Sequence, residues 1–108
     1  MREHRENMQS AATATGNGTS LCCTGHATAA IQVSGTFTGT VTFEATIDGS
    51  TWVSLLATNV TTGGTATSTA AAGIFRVSCA GFAEIRARVS AYTSGSITVH
   101  GRVTEASL

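Results

Sequence analysis

Hydrophobic and polar residues alternate with a period of two along much of the chain. The clearest example is GTFTGTVTFEATIDGSTW, at residues 35–52. Its apolar positions are Val41, Phe43, Ala45 and Ile47, and the positions between them are polar. Such alternation is typical of a strand with one face buried. We therefore expect a strand over residues 38–47 whose four apolar side chains all face a core.

Turn-forming residues separate this strand from others. Asp48-Gly49 favours a tight hairpin turn, because glycine adopts the positive φ angles that the turn requires. Gly63-Gly64 suggests a turn between two weak strands, and residues 91–95 are expected to form a hairpin loop. The other predicted strands cover residues 29–34, 51–57, 74–78, 84–90 and 96–103. With no helical period anywhere, this pattern predicts an all-β protein, a single antiparallel and jelly-roll-like β-sandwich of about seven or eight strands.

The first twenty residues show no such alternation. They combine a charged segment, MREHRENMQS, with SAATATGNGTS, which has few large apolar groups. Such a segment cannot bury enough apolar surface to fold alone. We therefore predict an N-terminal arm over residues 1–20, flexible or docked on a neighbouring subunit, and a sandwich over residues 21–108 that folds without it. The predicted partner contacts of the arm are its charged residues Arg2, Glu3, Arg5 and Glu6.

Composition supports strands and limits the partners. Twenty threonines and twelve glycines stand beside four Phe, one Trp and one Tyr, and Thr and Gly both disfavour helices. Six arginines balance six acidic residues, so the basic surplus that nucleic-acid binding requires is absent and no nucleic-acid partner is expected. No apolar run is long enough for a membrane span. The N-terminus lacks the apolar region of a signal peptide, so synthesis in a cytoplasm is expected.

The three cysteines are Cys22, Cys23 and Cys79. They cannot all pair within one chain, which favours reduced thiols. A zinc site needs four ligands in tetrahedral array, and Cys22, Cys23 and His26, even with Cys79, do not show the paired spacing of such a site. We therefore predict no metal and no cofactor.

Catalytic constellations are also missing from the sequence. None of the three histidines lies near a nucleophile motif such as Gly-X-Ser-X-Gly, and Asp48 is more simply explained as a turn residue than as half of a carboxylate pair. The sequence therefore predicts a protein that is not an enzyme.

Two arginines, Arg86 and Arg88, lie on one face of a predicted strand. They could bind an anionic ligand or a carboxylate of a partner chain, because the guanidinium group pairs with such groups in a bidentate way. The alternative is a solvated face on which acidic residues of neighbouring strands, Glu44 and Glu84, pair with them.

Four further residues are candidates for a partner interface. Arg76 and Arg102 could join the arginine pair and extend an anion-binding surface. Trp52, directly after the hairpin turn, could be a stacking platform for a sugar or an anchor in a core or interface. Tyr92 is the second aromatic candidate.

Three stretches resemble a group of small all-β virion proteins of tailed bacteriophages. They are ATGNGTS (14–20), ATAAIQVSGTFTGTVTFEATIDGSTWVSL (27–55) and AAGIFRVSCAGFAEIRARVSAYTSGSITVHGRV (71–103). Cys22, Cys23 and Cys79 stand where ordinary apolar or small residues are expected from the shared pattern, and the segment MREHRENMQS is not part of it. The resemblance implies a fold and a class of function. Its specificity for a particular place in the virion is low.

The function implied by this resemblance is structural and non-enzymatic. We expect a decoration or cement protein on the capsid surface, which binds the major capsid protein and assembles as a homotrimer. One sandwich plus an arm also suits a separate capsid subunit better than a long fibre. The alternative is an attachment module of a tail, neck or head fibre, which would contact host glycans through Trp52 or Tyr92.

Overall fold

The computed structural model describes residues 3–104, with side chains from residue 5 onward. This part of the chain contains eleven strands and no helix, and hence no helix that could cross a membrane. The strands are β1 (Glu3–Ala12), β2 (Leu21–Cys22), β3 (Thr28–Ser34), β4 (Phe37–Thr46), β5 (Val53–Ser54), β6 (Ala57–Asn59), β7 (Thr65–Ala66), β8 (Ser68–Thr69), β9 (Gly73–Ser78), β10 (Glu84–Gly95) and β11 (Ile97–Thr104).

The strands form two antiparallel sheets. The six-stranded sheet has the order β1-β11-β3-β9-β6-β7, and the five-stranded sheet has the order β2-β10-β4-β5 with β8 also paired to β4. Without β6, β7 and β8, each sheet has four strands, in the orders β1-β11-β3-β9 and β2-β10-β4-β5. This is the strand order of a jelly roll. The predicted antiparallel sandwich is confirmed. The three additional short strands β6, β7 and β8 raise the count above seven or eight.

Most connections pass from one sheet to the other. Only β4–β5 and β6–β7 join strands of the same sheet. The prediction of a hairpin loop at residues 91–95 is therefore wrong. These residues continue β10 along β4, with Tyr92 opposite Gly39 and Gly95 opposite Phe37. The chain then enters the other sheet at β11. There is no hairpin at this point, because successive strands belong to different layers.

The core lies between the sheets and consists of small apolar side chains around a few larger ones. Phe43 of β4 and Phe75 of β9 meet there with ring centroids 5.0 Å apart. The alternating residues predicted to face inward on β10 and β11 are buried, with at most 1% of their surface exposed: Ile85, Ala87, Val89, Ile97, Val99 and Val103.

Residues 3–20 do not form an arm outside the sandwich, so the predicted arm is corrected for the described part of this segment. Strand β1 pairs along β11 and is the edge of the six-stranded sheet. Met8 is only 1% exposed and belongs to the core. Further on, Gly16 bridges to Val89 of the other sheet. The first described residues are thus a structural part of the fold, although only one of their apolar side chains is large.

Two details of the predicted strands around the β4–β5 hairpin are wrong. Ile47 was expected in the core but is 75% exposed, because β4 ends at Thr46 and the chain turns there. The strand predicted over residues 51–57 is divided into β5 and β6, which belong to different sheets. Leu55 and Leu56 lie in the connection between them.

The edges of the sheets are short or irregular. Strands β2, β5 and β7, which end three of the four edges, have two residues each. The remaining edge, β1, shows register shifts between Asn7 and Gln9 and between Gln9 and Ala12. Ala11 there adopts a positive φ of 49°. None of the described edges therefore offers a long, regular row of backbone groups.

Candidate functional site

A charged cluster lies on the outer face of the five-stranded sheet. The register places Arg86 of β10 opposite Glu44 of β4, with Arg88 one step along the same face. The Nε atom of Arg86 donates to Oε1 of Glu44 over 2.7 Å, and an Arg88 terminal nitrogen lies 3.2 Å from Oε2. The carboxylate therefore holds both guanidinium groups in place.

Glu44 is ionised more readily than an ordinary glutamate. Only 8% of the residue is exposed, and burial by itself raises the pKa of a carboxyl group. The hydrogen bonds from Arg86 and Arg88 outweigh this effect, so the pKa of Glu44 is lowered. The alternative of cross-strand pairing is confirmed for Glu44 and is wrong for Glu84, which lies on β10 itself with the two arginines.

Trp52 completes the same cluster. The guanidinium carbon of Arg86 lies 4.2 Å from the centroid of the Trp52 ring, a cation–π contact. Trp52 is half-buried. One face of the indole is therefore covered within the chain, so the ring acts as an anchor for Arg86 and offers at most its other face to a sugar.

Substitution Glu44→Gln is expected to lower the free energy of unfolding by about 2 kcal/mol at pH 7, because two arginines lose a charged acceptor. The folded-state pKa of Glu44 is lowered, so its stabilising effect is present above the ordinary carboxyl pKa and is lost as the pH falls through the folded-state value. The difference between wild type and E44Q should therefore shrink between pH 5 and pH 2 or so.

Urea unfolding at several pH values measures this difference. The matched control is Glu84→Gln, which alters a glutamate on β10 outside the cluster. If E44Q and E84Q change stability equally at pH 7, the arginine cluster contributes nothing particular to the fold.

Arg76 and Arg102 do not join this cluster. They lie in the other sheet, where Arg102 of β11 and Arg76 of β9 are both register partners of Ala30 on β3. Arg5 of β1 is opposite Arg102. Arg5 and Arg102 line a groove of about 540 Å³ on the outer face of the six-stranded sheet, and the expectation of one surface with four arginines is thus wrong.

The remaining interface candidates are also dispersed. The Tyr92 hydroxyl donates to the carbonyl oxygen of Gly95 over 2.7 Å, within its own strand. Glu6 lines the groove of the six-stranded sheet beside Arg5. Arg2 lies outside the described residues, as does the side chain of Glu3.

Asp48 is a turn residue, as predicted. Its Oδ1 atom accepts hydrogen bonds from the backbone N–H groups of Ser50 and Thr51, over 2.9 and 2.8 Å, and from the Thr46 hydroxyl over 3.0 Å. The backbone hydrogen bonds of Thr51 and Ser50 lower the pKa of Asp48 strongly. The carboxylate thus fixes the β4–β5 turn.

An apolar surface next to this turn was missed by the sequence analysis. We call it the apolar end patch and define it by Ile47, Val53, Leu55 and Phe82. These residues line a hollow of about 450 Å³. Val53 is 63% exposed although it pairs with Ala45, so the partner sheet does not cover this end of the five-stranded sheet. The sequence could not show that Ile47 and Val53 are exposed, because it does not show where the partner sheet ends.

Metal ligands are not brought together in residues 3–104: no group of three or more His, Cys, Asp or Glu side chains there could hold a metal ion. Cys22 is exposed, whereas Cys23 and Cys79 are buried. The Nδ1 atom of His26 lies 3.1 Å from the Thr24 carbonyl oxygen. The cysteines and His26 therefore do not form a shared site in the described structure.

Two solved structures are similar to this chain. The SPBc2 prophage-derived protein YomS superposes with a TM-score of 0.88 at 23% identity, over 94% of this chain and 92% of YomS. The PBSX exported protein XepA gives a TM-score of 0.90 at 22% identity, over 94% of this chain but only 37% of XepA. These identities are low, so the similarities show a shared fold. No curated protein sequence matches.

The family comparison covers nearly the whole described chain. The XepA family model matches residues 5–103, and the match includes most of β1, which the sequence analysis had placed outside the shared pattern. The expected relation to phage proteins is supported at this level, because YomS is prophage-derived by name. The chain belongs to the XepA family.

Proposed function

We propose that the protein is a non-enzymatic structural protein of a phage particle, and that it decorates the head surface by binding the major capsid protein. Its family relationship and the prophage proteins that share its fold support a phage role. XepA is described as an exported protein, which agrees with a place on a particle or outside the cell. A surface subunit needs a stable sandwich and an exposed binding surface.

The observation that carries this proposal is the apolar end patch. Ile47 and Val53 are 75% and 63% exposed, and they adjoin the half-buried Leu55 and Phe82. Contiguous exposed apolar side chains of this kind mark interaction sites. Each such side chain contributes about 1.5–3 kcal/mol when a partner covers it fully, so the patch can supply a substantial part of the attachment energy.

The rigidity of this region favours binding without rearrangement. Asp48 holds the turn that carries Ile47 through its backbone hydrogen bonds, and Val53 is paired to β4. Side chains presented by fixed backbone lose little conformational freedom when they are covered. The end patch is therefore prepared to contact an apolar surface on the capsid.

The number of copies in purified particles tests the proposed location. A decoration protein should be present at hundreds of copies per particle, as quantitative mass spectrometry can measure against the major capsid protein. A count of a few to a few dozen would contradict head decoration and favour a tail, neck or fibre position.

Attachment should be lost in Ile47→Asp, because binding would then bury a carboxylate against an apolar surface. We expect at least a tenfold weaker binding to particles that lack the protein, measured by co-sedimentation. Ile74→Asp is the matched control, since Ile74 is 43% exposed on the six-stranded sheet, away from the patch. Equal binding by I47D and wild type would contradict a role for the patch.

We also propose that the protein assembles as a homotrimer, as decoration proteins of tailed phages commonly do. The lightly charged surface, with only 11% charged residues, favours association of copies. Light scattering at tens of micromolar should give three times the chain mass. A mass of one chain at that concentration would contradict the trimer.

The alternative function is an attachment module that contacts host glycans. It requires a free aromatic platform, and Arg86 already covers one face of Trp52. Reproducible binding on a glycan array that disappears in both Trp52→Ala and Tyr92→Ala would favour this alternative over capsid decoration.

A further inference from the structure

Two of the three cysteines meet in the core at one end of the sandwich. Cys23 follows β2, and Cys79 follows β9. They are 1% and 0% exposed, respectively. The Cys23 thiol lies 3.6 Å from the Leu21 carbonyl oxygen, and burial together with the nearby Cys79 side chain raises its pKa. The two sulfur atoms are therefore neighbours inside the protein.

The backbone holds the two cysteines side by side in a reciprocal arrangement. Each one begins a tight turn: the N–H of His26 donates to the Cys23 carbonyl over 2.9 Å, and that of Phe82 donates to the Cys79 carbonyl over 3.1 Å. The N–H group of each cysteine donates to the carbonyl oxygen of the residue that follows the other cysteine's turn. The Cys23 N–H donates to the Ala83 carbonyl over 3.0 Å, and the Cys79 N–H donates to the Ala27 carbonyl over 2.9 Å.

We propose that Cys23 and Cys79 form an intramolecular disulfide bond when the protein meets an oxidising environment, with Cys22 remaining a free thiol. The proposal rests on the burial and contact of the two thiols and on the hydrogen bonds that join their turns. Cys22 is exposed, because successive residues of an extended chain point to opposite faces. The inference is independent of the proposed place in the virion.

The oxidant is a small-molecule disulfide such as oxidised glutathione. One cysteine thiolate attacks a glutathione sulfur, breaks the glutathione S–S bond and releases one glutathione thiolate. The second cysteine thiolate attacks the protein sulfur of this mixed disulfide and releases the other. Two cysteine thiols are thus oxidised to one disulfide, one glutathione disulfide is reduced to two thiols, and these take up the two protons.

The bond is expected to form during folding more readily than afterwards. Burial raises the pKa of both thiols in the folded state, so few thiolates are available there. Once formed, the bond closes residues 23–79 into a loop and restricts the unfolded chain. It also ties the turn before β3 to the turn before β10.

The test uses the full chain with Cys22→Ser, which removes the exposed thiol. The protein is refolded in a mixture of oxidised and reduced glutathione, alkylated, and cleaved with trypsin, which cuts after arginine. Cleavage at Arg76 and Arg86 places Cys79 in residues 77–86 and Cys23 in residues 6–76. Mass spectrometry should find these two peptides joined without reductant and separate with it.

Wild type should give the same joined peptides, and Cys23→Ser should not. The oxidised C22S protein should also unfold at a temperature roughly 10–20 °C above that of the reduced protein. Fully alkylated cysteines in refolded C22S would overturn the proposal. Joined peptides in C23S but not in C22S would overturn it as well, because Cys22 would then be the partner of Cys79. Joined peptides found only in covalent dimers would also overturn the proposal, because the disulfide would then link two chains.

Discussion

Deletion of residues 2–18 is expected to remove most of the stability of the sandwich. The deleted segment contains Met8, which lies in the core, and truncating a buried methionine alone costs about 2–5 kcal/mol. It also contains Gln9, whose side-chain amide donates to the carbonyl oxygen of Ala87 over 2.9 Å in a buried position. Because domains are stable by only about 5–15 kcal/mol, the truncated chain should be largely unfolded at room temperature.

The deletion would damage both sheets. Strand β1 provides one edge of the six-stranded sheet. Gly16 exchanges two backbone hydrogen bonds with Val89 of the five-stranded sheet, over 3.1 and 2.9 Å. The segment between them passes from one sheet to the other, so its loss would remove backbone pairing from both layers.

Urea unfolding of the truncated protein and of two point variants measures these contributions. Met8→Ala should lose about 2–5 kcal/mol, and the control Ser10→Ala, at an exposed neighbouring position, should change stability by less than about 0.5 kcal/mol. A truncated protein with an unchanged transition would restore the initial hypothesis of a separate arm.

Gly95→Ala is expected to destabilise the fold by about 3 kcal/mol or more. Gly95 lies where the chain leaves β10 for β11, with φ of 89°, a conformation that costs an L-residue about 1–2 kcal/mol. A Cβ atom there would also overlap the carbonyl oxygen of Thr36, and forced overlap adds about 1–3 kcal/mol.

A second chain crossing between the sheets, from β3 to β4, leaves no space for a Cβ atom at Gly95. The chain also passes from β3 to β4 near Gly35, and the two crossings lie against each other: Ser96 N–H donates to the Thr36 carbonyl over 3.1 Å. A Cβ atom on Gly35 would in turn overlap the carbonyl oxygen of Ser96. The overlapping atoms are backbone on both sides, so neither can move away by changing rotamer.

Gly49→Ala is the matched control. Gly49 has a similar φ of 84° but nothing within 4 Å of the added atom, so it isolates the conformational penalty. Thermal unfolding should show a small decrease for G49A and a clearly larger one for G95A. Equal decreases would mean that the crowding at the sheet crossing has no energetic effect.

The sequence predicted those parts of the fold in which local pattern and tertiary structure agree. Inward residues such as Ile85 and Val99 alternate strictly with polar ones, and the two-residue period places them in the core wherever a sheet covers them. Asp48-Gly49 likewise carries its turn chemistry in its own side chain and backbone.

The parts that could not be predicted depend on distant pairing. Met8 is a single large apolar residue among polar neighbours, and it is buried only because β11, about ninety residues later, lies beside it. Ile47 continues the pattern of Val41, but the opposite sheet ends before it. The alternation describes which way a side chain points and contains no information on how far the other layer extends.

The division of the arginines has the same cause. Arg76 and Arg86 are close in sequence, yet their strands belong to opposite layers. Arg86 and Glu44, far apart in sequence, lie on neighbouring strands. Their contact requires the register between β4 and β10, which alternation alone does not specify.

The irregular β1 edge has a consequence for the proposed decoration role, in which many copies lie at close quarters. Free strand edges can add further strands from other molecules, and repeated addition would convert a soluble subunit into fibres. The displaced pairing around Gln9 and the left-handed backbone at Ala11 interrupt the ladder that an incoming strand would need. In that proposed role, copies can crowd together on a surface and associate through side chains, while open-ended polymerisation through their backbones is suppressed.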